Sequence, residues 1–573
     1  MTAVGRVVRV NGPLVEVDGL AEVAMLDAVE LGPQRLAGEV VAIRGDLATV
    51  QAYEYTGGLA PGATATCRGE PLSAPLGPQL LGGVFDGLLR PLAGAGRWLS
   101  PARRDDGDGR LWAFTPTVAE GAVVAPGAQL GTVDGAGAVP YLVLAPPGVC
   151  GRVEAIRPPG AYPATAPVAT VAGADVAMTL RWPVRRPKPS AERLDAVVPL
   201  LTGQRVIDLL VPVAQGGTAA VPGGFGTGKT VLLQQIAKWC EADVIVYVGC
   251  GERGNEMADV LAELSQLADP RTGGRLAQRT VVVANTSNMA MMAREASVYS
   301  AVTVAEHFRD MGYATVVIAD STSRWAEALR ELASRSGALP AEEGYPADLA
   351  SSLAAFYERA GRVRTLGGRE GSVTIIGAVS PPGGDMTEPV TTHTQRFVRC
   401  LWSLDRDLAY ARHYPAVSWA ASFCRDAEAI GAWHARNGDP GWAERRSRVA
   451  ALLAEADRLA ALAELVGVGG LPARERVVLL AGRLLREAVL QQSALSPVDA
   501  SSGAERSAAL VGAVLEVVDG CQALAGRGVP ATVIEEQDFS PLLRAREEVA
   551  AGDAAAGVGA RRERVLDRLE ALG

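Results

Sequence analysis

The stretch Gly223-Gly224-Phe225-Gly226-Thr227-Gly228-Lys229-Thr230 satisfies the phosphate-binding loop (P-loop) pattern in full. An apolar run at 219–221 precedes it, and Val231-Leu232-Leu233-Gln234-Gln235-Ile236-Ala237 follows as a helix. In that register the glycines let successive backbone N–H groups converge on phosphate oxygens at a helix N-terminus. Lys229 is placed to reach the β- and γ-phosphates, and the Thr230 hydroxyl to hold Mg²⁺. Residues Gly223 to Thr230, with Val231 in the first helical turn, are the candidate nucleotide-binding set.

Working outward, short apolar strands at 244–248, 281–284, 315–319 and 373–378 alternate with helical segments. Such alternation predicts a mostly parallel sheet covered by helices, an α/β nucleotide-binding domain over 189–430. Thr315-Val316-Val317-Ile318-Ala319-Asp320 ends in a carboxylate. Ligands of open α/β sheets lie at the strands' C-terminal ends, so Asp320 is the second candidate Mg²⁺ ligand beside Thr230. Val244-Ile245-Val246-Tyr247-Val248 runs into Gly249-Cys250-Gly251-Glu252-Arg253-Gly254-Asn255-Glu256. A Glu252 carboxylate in the crevice orients and deprotonates an attacking water, while Arg253 offsets charge on the γ-phosphoryl group. A surface loop with a Glu–Arg ion pair accounts for these two residues equally well.

The flanks read differently. Val4 to Val10, a turn at Asn11-Gly12-Pro13, and further short strands with Gly/Pro turns predict a small β-barrel over 1–70. A connection at 71–109, belonging to the nucleotide-binding domain, contains Arg103-Arg104-Asp105-Asp106-Gly107-Asp108-Gly109. A second β-rich module follows over 110–188. After about 430 strands cease, and Val449, Leu452, Leu453, Ala456, Leu459, Leu462 and Leu465 recur at helical spacing, so 431–573 reads as a helical bundle.

Composition sets outer limits. The chain has 573 residues, 48% hydrophobic and 21% charged, which suits several globular domains and excludes a disordered chain. The net charge of −9 argues against a general nucleic-acid binder. Seven dispersed cysteines without a C-x-x-C pair read as reduced thiols in a cytosolic protein. None of the four His pairs with another at metal-ligand spacing. No secretory signal opens the sequence, and the uncharged run at 135–151 is broken by Pro140, Pro146 and Pro147, so a soluble chain is expected.

With these motifs in order, the sequence resembles the catalytic alpha subunit of vacuolar/archaeal-type (V/A-type) rotary ATPases over nearly its whole length. The likeness runs through Phe114-Thr115-Pro116-Thr117-Val118, Trp182-Pro183-Val184-Arg185, Thr202-Gly203-Gln204-Arg205-Val206-Ile207-Asp208 and the P-loop. It continues through Gly251-Glu252-Arg253-Gly254-Asn255-Glu256-Met257, Asp320-Ser321-Thr322-Ser323-Arg324-Trp325 and Ser380-Pro381-Pro382-Gly383-Gly384-Asp385. His413-Tyr414-Pro415-Ala416-Val417 and Pro497-Val498-Asp499 complete it. The resemblance implies a β-barrel crown, an inserted bulge domain, a nucleotide-binding domain and a C-terminal helical domain. It makes Glu252 the catalytic carboxylate, with Lys229 and Arg253 as phosphate contacts, and Mg²⁺ with ATP or ADP the cofactor. It also implies three such chains alternating with three B subunits that supply an arginine finger. Central- and peripheral-stalk subunits would join the ring to a membrane ion-translocating sector, with this chain on its cytoplasmic face.

Three departures accompany the likeness. Gly224 stands where the family usually has Pro, Thr227 where eukaryotic relatives have a redox-sensitive Cys, and Leu495 where the family has an aromatic adenine wall. Phe423 is the candidate second wall. Arg425 falls where related rotary subunits carry the arginine finger, which keeps a homohexameric export- or termination-type motor as the alternative. The 110–188 insert argues against that motor. A nucleotide-binding subunit without turnover is disfavoured by intact Lys229, Thr230, Glu252 and Asp320.

Overall fold

The computed structural model describes residues 3–93, 109–337 and 339–572. The boundary motif read at 103–108 lies outside the described residues.

Six antiparallel strands, among them Ala3–Asn11, Leu36–Arg44 and Thr64–Pro71, close into a barrel. Alternation sends Val7, Val15, Val17, Val29, Leu31, Val40 and Val50 to its interior. Over 111–177 two four-stranded antiparallel sheets pack around Phe114, Leu130, Val133, Val153 and Val171.

The central sheet has ten strands. Its main path runs Phe423–Cys424, Cys400–Leu401, Thr218–Pro222, Glu370–Val379, Ala314–Asp320, Val244–Cys250, Thr280–Asn285, Val84–Phe85. From Cys400–Leu401 to Val84–Phe85 every pairing is parallel. The central strands are buried on both faces, which is why they read as continuous apolar runs rather than alternating ones. All their C-terminal ends open on one crevice, and the helix Lys229–Trp239 begins there.

The helical stripe of the C-terminal region is shorter than its sequence suggests. Helix Trp442–Val466 buries Val449, Leu453, Ala456 and Leu459, whereas Leu465 is 84% exposed. The helix extends past the neighbours it packs on. Helix Ala504–Gly526 is long and apolar enough to cross a membrane, yet Leu510, Val514, Val517, Val518 and Leu524 are buried in the bundle core.

Two ionic joints tie these units together and account for two of the sequence motifs. Arg185 bridges Glu39 of the barrel at 2.8 Å and Glu295 of helix Met291–Asp310 at 2.6 Å. Arg205 pairs with Asp499 at 2.7 Å with both side chains fully buried, and Arg546 reaches the other Asp499 oxygen at 2.6 Å. Arg205 also donates to the Val489 and Gln491 carbonyls.

Candidate functional site

The P-loop leaves strand Thr218–Pro222 and turns into the helix at Gly228, which has φ +82°. A side chain there would be strained and would also come within 3.2 Å of the Tyr414 ring. Phe225, at the loop tip, is 96% exposed, so only its backbone is available to a phosphate. Gly224 faces the Arg406 guanidinium, which lies 3.2 Å from where a Cβ would stand. Val231 is half exposed in the first helical turn.

Lys229 is folded back into the crevice. Its Nζ donates to the carbonyls of Gly223 at 3.1 Å and Val379 at 3.2 Å, and to the Ser380 hydroxyl. Burial holds its ammonium below the usual lysine range, opposed by the charges of Asp320 and Glu252. A half-buried ammonium hydrogen-bonded only to neutral oxygens is a cradle for an anion.

Asp320 ends strand Ala314–Asp320 and is 3% exposed. The Thr230 hydroxyl stands 3.5 Å from its Oδ2, and the Tyr247 hydroxyl donates to the same oxygen at 3.1 Å. Burial raises its carboxyl above the ordinary value, and Lys229 pulls it back. A hydroxyl and a carboxylate oxygen beside a phosphate cradle are the hard-oxygen donors that Mg²⁺ takes.

Glu252 follows strand Val244–Cys250 through Gly251, where φ is +74°. A Cβ at Gly251 would lie 2.7 Å from Arg294 Nε and 3.0 Å from Arg324 Cβ, so this tight passage needs a glycine. Burial, the Asp320 charge and a hydrogen bond with Glu256 push the Glu252 carboxyl up to about 8, against the pull of Arg324. Arg253 is exposed and pairs with Glu256 at 3.6 Å, not with Glu252. The strand ends thus bring Lys229, Thr230, Asp320 and Glu252 to one crevice, with Arg253 at its rim.

The adenine-wall candidates fall in different places. Phe423 pairs with Leu401 in the outermost strand, packed against the sheet at the level of Ala220. It is two strands from the P-loop strand. Tyr414, in the His413-to-Val417 motif, has its ring beside Gly228. Leu495 is 95% exposed and lies three residues beyond Gln492, whose N–H donates to the Tyr414 carbonyl at 2.7 Å. Arg425 is exposed at the sheet edge, its guanidinium 5.4 Å from the Phe423 ring and donating to the Gln395 carbonyl. Arg324 and Ser380 are further site residues that the sequence pattern alone did not mark; Ser380 directly follows strand Glu370–Val379, and Arg324 lies in the first turn of helix Thr322–Ser336, after the strand that ends at Asp320.

Fold and site together define an ATP synthase alpha/beta-type nucleotide-binding protein. Residues 203–424 match the nucleotide-binding domain of the ATP synthase alpha/beta family, and 7–69 match its beta-barrel domain. Residues 107–185 match the ATP synthase alpha/beta subunit barrel-sandwich domain, and 431–517 the C-terminal domain of V and A type ATP synthase. A V-type ATP synthase alpha chain of Anaeromyxobacter sp. (strain K) is 49% identical, over 99% of this chain and 100% of its own length. One of Nitrosococcus oceani is 47% identical over 95% and 93%. An A-type ATP synthase subunit of Sulfolobus acidocaldarius is 46% identical over 94% of each. The chain belongs to the V/A-type ATP synthase alpha-chain family.

Proposed function

We propose that this chain is the catalytic subunit of a rotary, ion-translocating ATPase, hydrolysing or synthesising ATP in a site completed by a neighbouring B subunit. The observation that carries the reading is the placement of Lys229, Thr230, Asp320 and Glu252 at one set of strand ends, with the lysine's partners all uncharged. The P-loop amides and Lys229 bind the β- and γ-phosphates. Thr230 and Asp320 would hold Mg²⁺, which would supply positive charge against the phosphates. Glu252 takes the proton of the water that attacks the γ-phosphorus as ADP departs. Burial and the Asp320 charge raise this carboxyl above its ordinary value, which makes the carboxylate, once ionised, a stronger base for that transfer. Arg324, whose charge acts on Glu252, and Arg253 at the rim offset charge on the transferring group. Tyr414 stacks on the adenine, with Leu495 as the second wall in place of Phe423.

An arginine finger from B is the missing element. Arg425 is a poor substitute, since it lies against Phe423 at the outermost strand. That position and the barrel-sandwich insert both count against a homohexameric motor. In the assembly we infer, three copies alternate with three B subunits on the cytoplasmic face of a membrane. Stalk subunits link the ring to a sector moving H⁺ or Na⁺.

Calorimetric titration with Mg-ADP tests the site itself. One nucleotide per chain is expected, with binding lost in Lys229→Ala and weakened without Mg²⁺. Unchanged binding in Lys229→Ala would reject the phosphate cradle.

A further inference from the structure

Two of the seven cysteines, scattered in sequence, meet in the fold. Cys400 and Cys424 are directly opposed in the antiparallel pair at the sheet edge. The Arg425 N–H donates to the Arg399 carbonyl at 2.9 Å, so 399 and 425 form a hydrogen-bonded pair. The next pair, Cys400 and Cys424, is therefore of the non-hydrogen-bonded kind, with Cα atoms about 4.5 Å apart and side chains on one face. That lies within the roughly 4.4–6.8 Å a disulfide spans, near its short end. The two thiols also converge on one acceptor: Cys400 Sγ is 3.1 Å and Cys424 Sγ 2.8 Å from the Pro212 carbonyl oxygen.

Their surroundings differ in a useful way. Cys400 is buried and Cys424 is half-buried. A hydrogen bond from Cys400 and another from the Asp426 N–H hold the Cys424 thiol below its ordinary range. Cys424 is therefore the accessible, more readily ionised member, and Cys400 the shielded one.

The pair also closes a functional loop. Cys400 adjoins Ala219 of the P-loop strand. The chain between the two cysteines carries Arg406 to Gly224 and Gly384, and Tyr414 to Gly228.

We propose that Cys400 and Cys424 form a reversible dithiol–disulfide site, and that its closure clasps the 401–423 loop against the P-loop. The reagent class is a small organic disulfide, RSSR. The Cys424 thiolate attacks one sulfur and displaces RS⁻, giving a mixed disulfide. The Cys400 thiolate then attacks the Cys424 sulfur, displacing the second RS⁻. Two protein thiols are oxidised by two electrons, RSSR is reduced to two RSH, and the two thiol protons end on the released thiolates. Any effect on nucleotide release rests on the ATPase reading; the cross-link and the clasp do not.

The test is to expose the full chain, without nucleotide, to oxidised glutathione, then map cross-links by mass spectrometry and follow amide hydrogen exchange over 403–422. The proposal expects a Cys400–Cys424 link, slower exchange in that segment, and recovery of both on adding dithiothreitol. Cys424→Ser and Cys400→Ser each abolish the link and the slowing, while still binding Mg-ADP as the unmodified chain does. Glutathione retained only on exposed Cys150, or a link that leaves exchange in 403–422 unchanged, overturns the proposal. Failure of the unmodified chain to bind Mg-ADP would instead overturn the ATPase reading, since neither redox readout needs nucleotide.

Discussion

Arg205 is a buried cation and Lys229 a half-buried one, twenty-four positions apart by their numbers, and they serve opposite ends. The Arg205 charge is answered inside the fold, although its buried Nη1 has no hydrogen-bond partner among the described residues. Asp499 answers its charge at 2.7 Å, and the Val489 and Gln491 carbonyls accept two more of its hydrogen bonds, so its charge awaits no ligand. Even there burial lowers the guanidinium to about 10. Lys229 is held by neutral oxygens, beside an Asp320 carboxyl raised by burial and a Glu252 carboxyl raised to about 8. The joint is an ion pair whose charges are matched within the fold; the crevice is a set of charges left short of their counter-ions. A buried ion pair strongly resists loss of one partner, whereas an under-compensated cluster gains when a ligand supplies the missing charge.

Breaking the joint should have the largest effect. Asp499→Ala strands Arg205 and Arg546 without their carboxylate and is expected to destabilise the chain by about 3–5 kcal/mol. Urea unfolding measures this, and a loss below about 1 kcal/mol would put the joint in the same class as an exposed ion pair. The crevice should respond in activity instead. In the assembled enzyme, Glu252→Gln is expected to cut turnover by about 10²–10⁴ without lowering the unfolding midpoint.

The proposed adenine wall yields smaller changes. Tyr414→Ala should weaken Mg-ATP binding by about 0.5–1.5 kcal/mol, and Leu495→Phe should tighten it by a similar amount. Phe423→Leu should leave the dissociation constant unchanged. Calorimetry that assigned the loss to Phe423 and none to Tyr414 would return the wall to the sheet edge.

The crevice should also show a pH dependence. The native chain keeps the Glu252 proton up to about 8, while the unfolded chain loses it near the ordinary 4.5. Between those values the native state binds more protons than the unfolded state, so this group's stabilising contribution is complete below the lower value and is lost as pH rises through the upper one. Glu252→Gln should therefore gain in melting temperature relative to the unmodified chain on going from about pH 5 to about pH 9. A constant difference across that range would contradict the raised Glu252 carboxyl.

What the sequence made legible follows the same division. The P-loop, the strand ending at Asp320 and the Glu252 turn are local patterns, because a parallel strand buried on both faces writes itself as an apolar run, with the candidate residue at or just past its end. Relations between distant segments were not legible. Phe423 offers an aromatic ring to the sequence reading, whereas antiparallel register with Leu401 sets it in the edge strand, and the chain's return brings the Tyr414 ring beside Gly228. The motif around Arg205 gave no hint of its partner Asp499, nor did scattered cysteines announce that two of them face each other across a strand pair.

On the proposed function, the crevice is a catalytic site lacking one charge, which a B subunit supplies. The most direct measurement is the Mg-ATP hydrolysis rate of this chain, titrated with its B partner. An arginine finger is typically worth about 10³–10⁵ in turnover, so the chain alone should be nearly silent and activity should rise and saturate at equimolar partner. Strong hydrolysis by the chain alone, unchanged by the partner, would contradict a shared site.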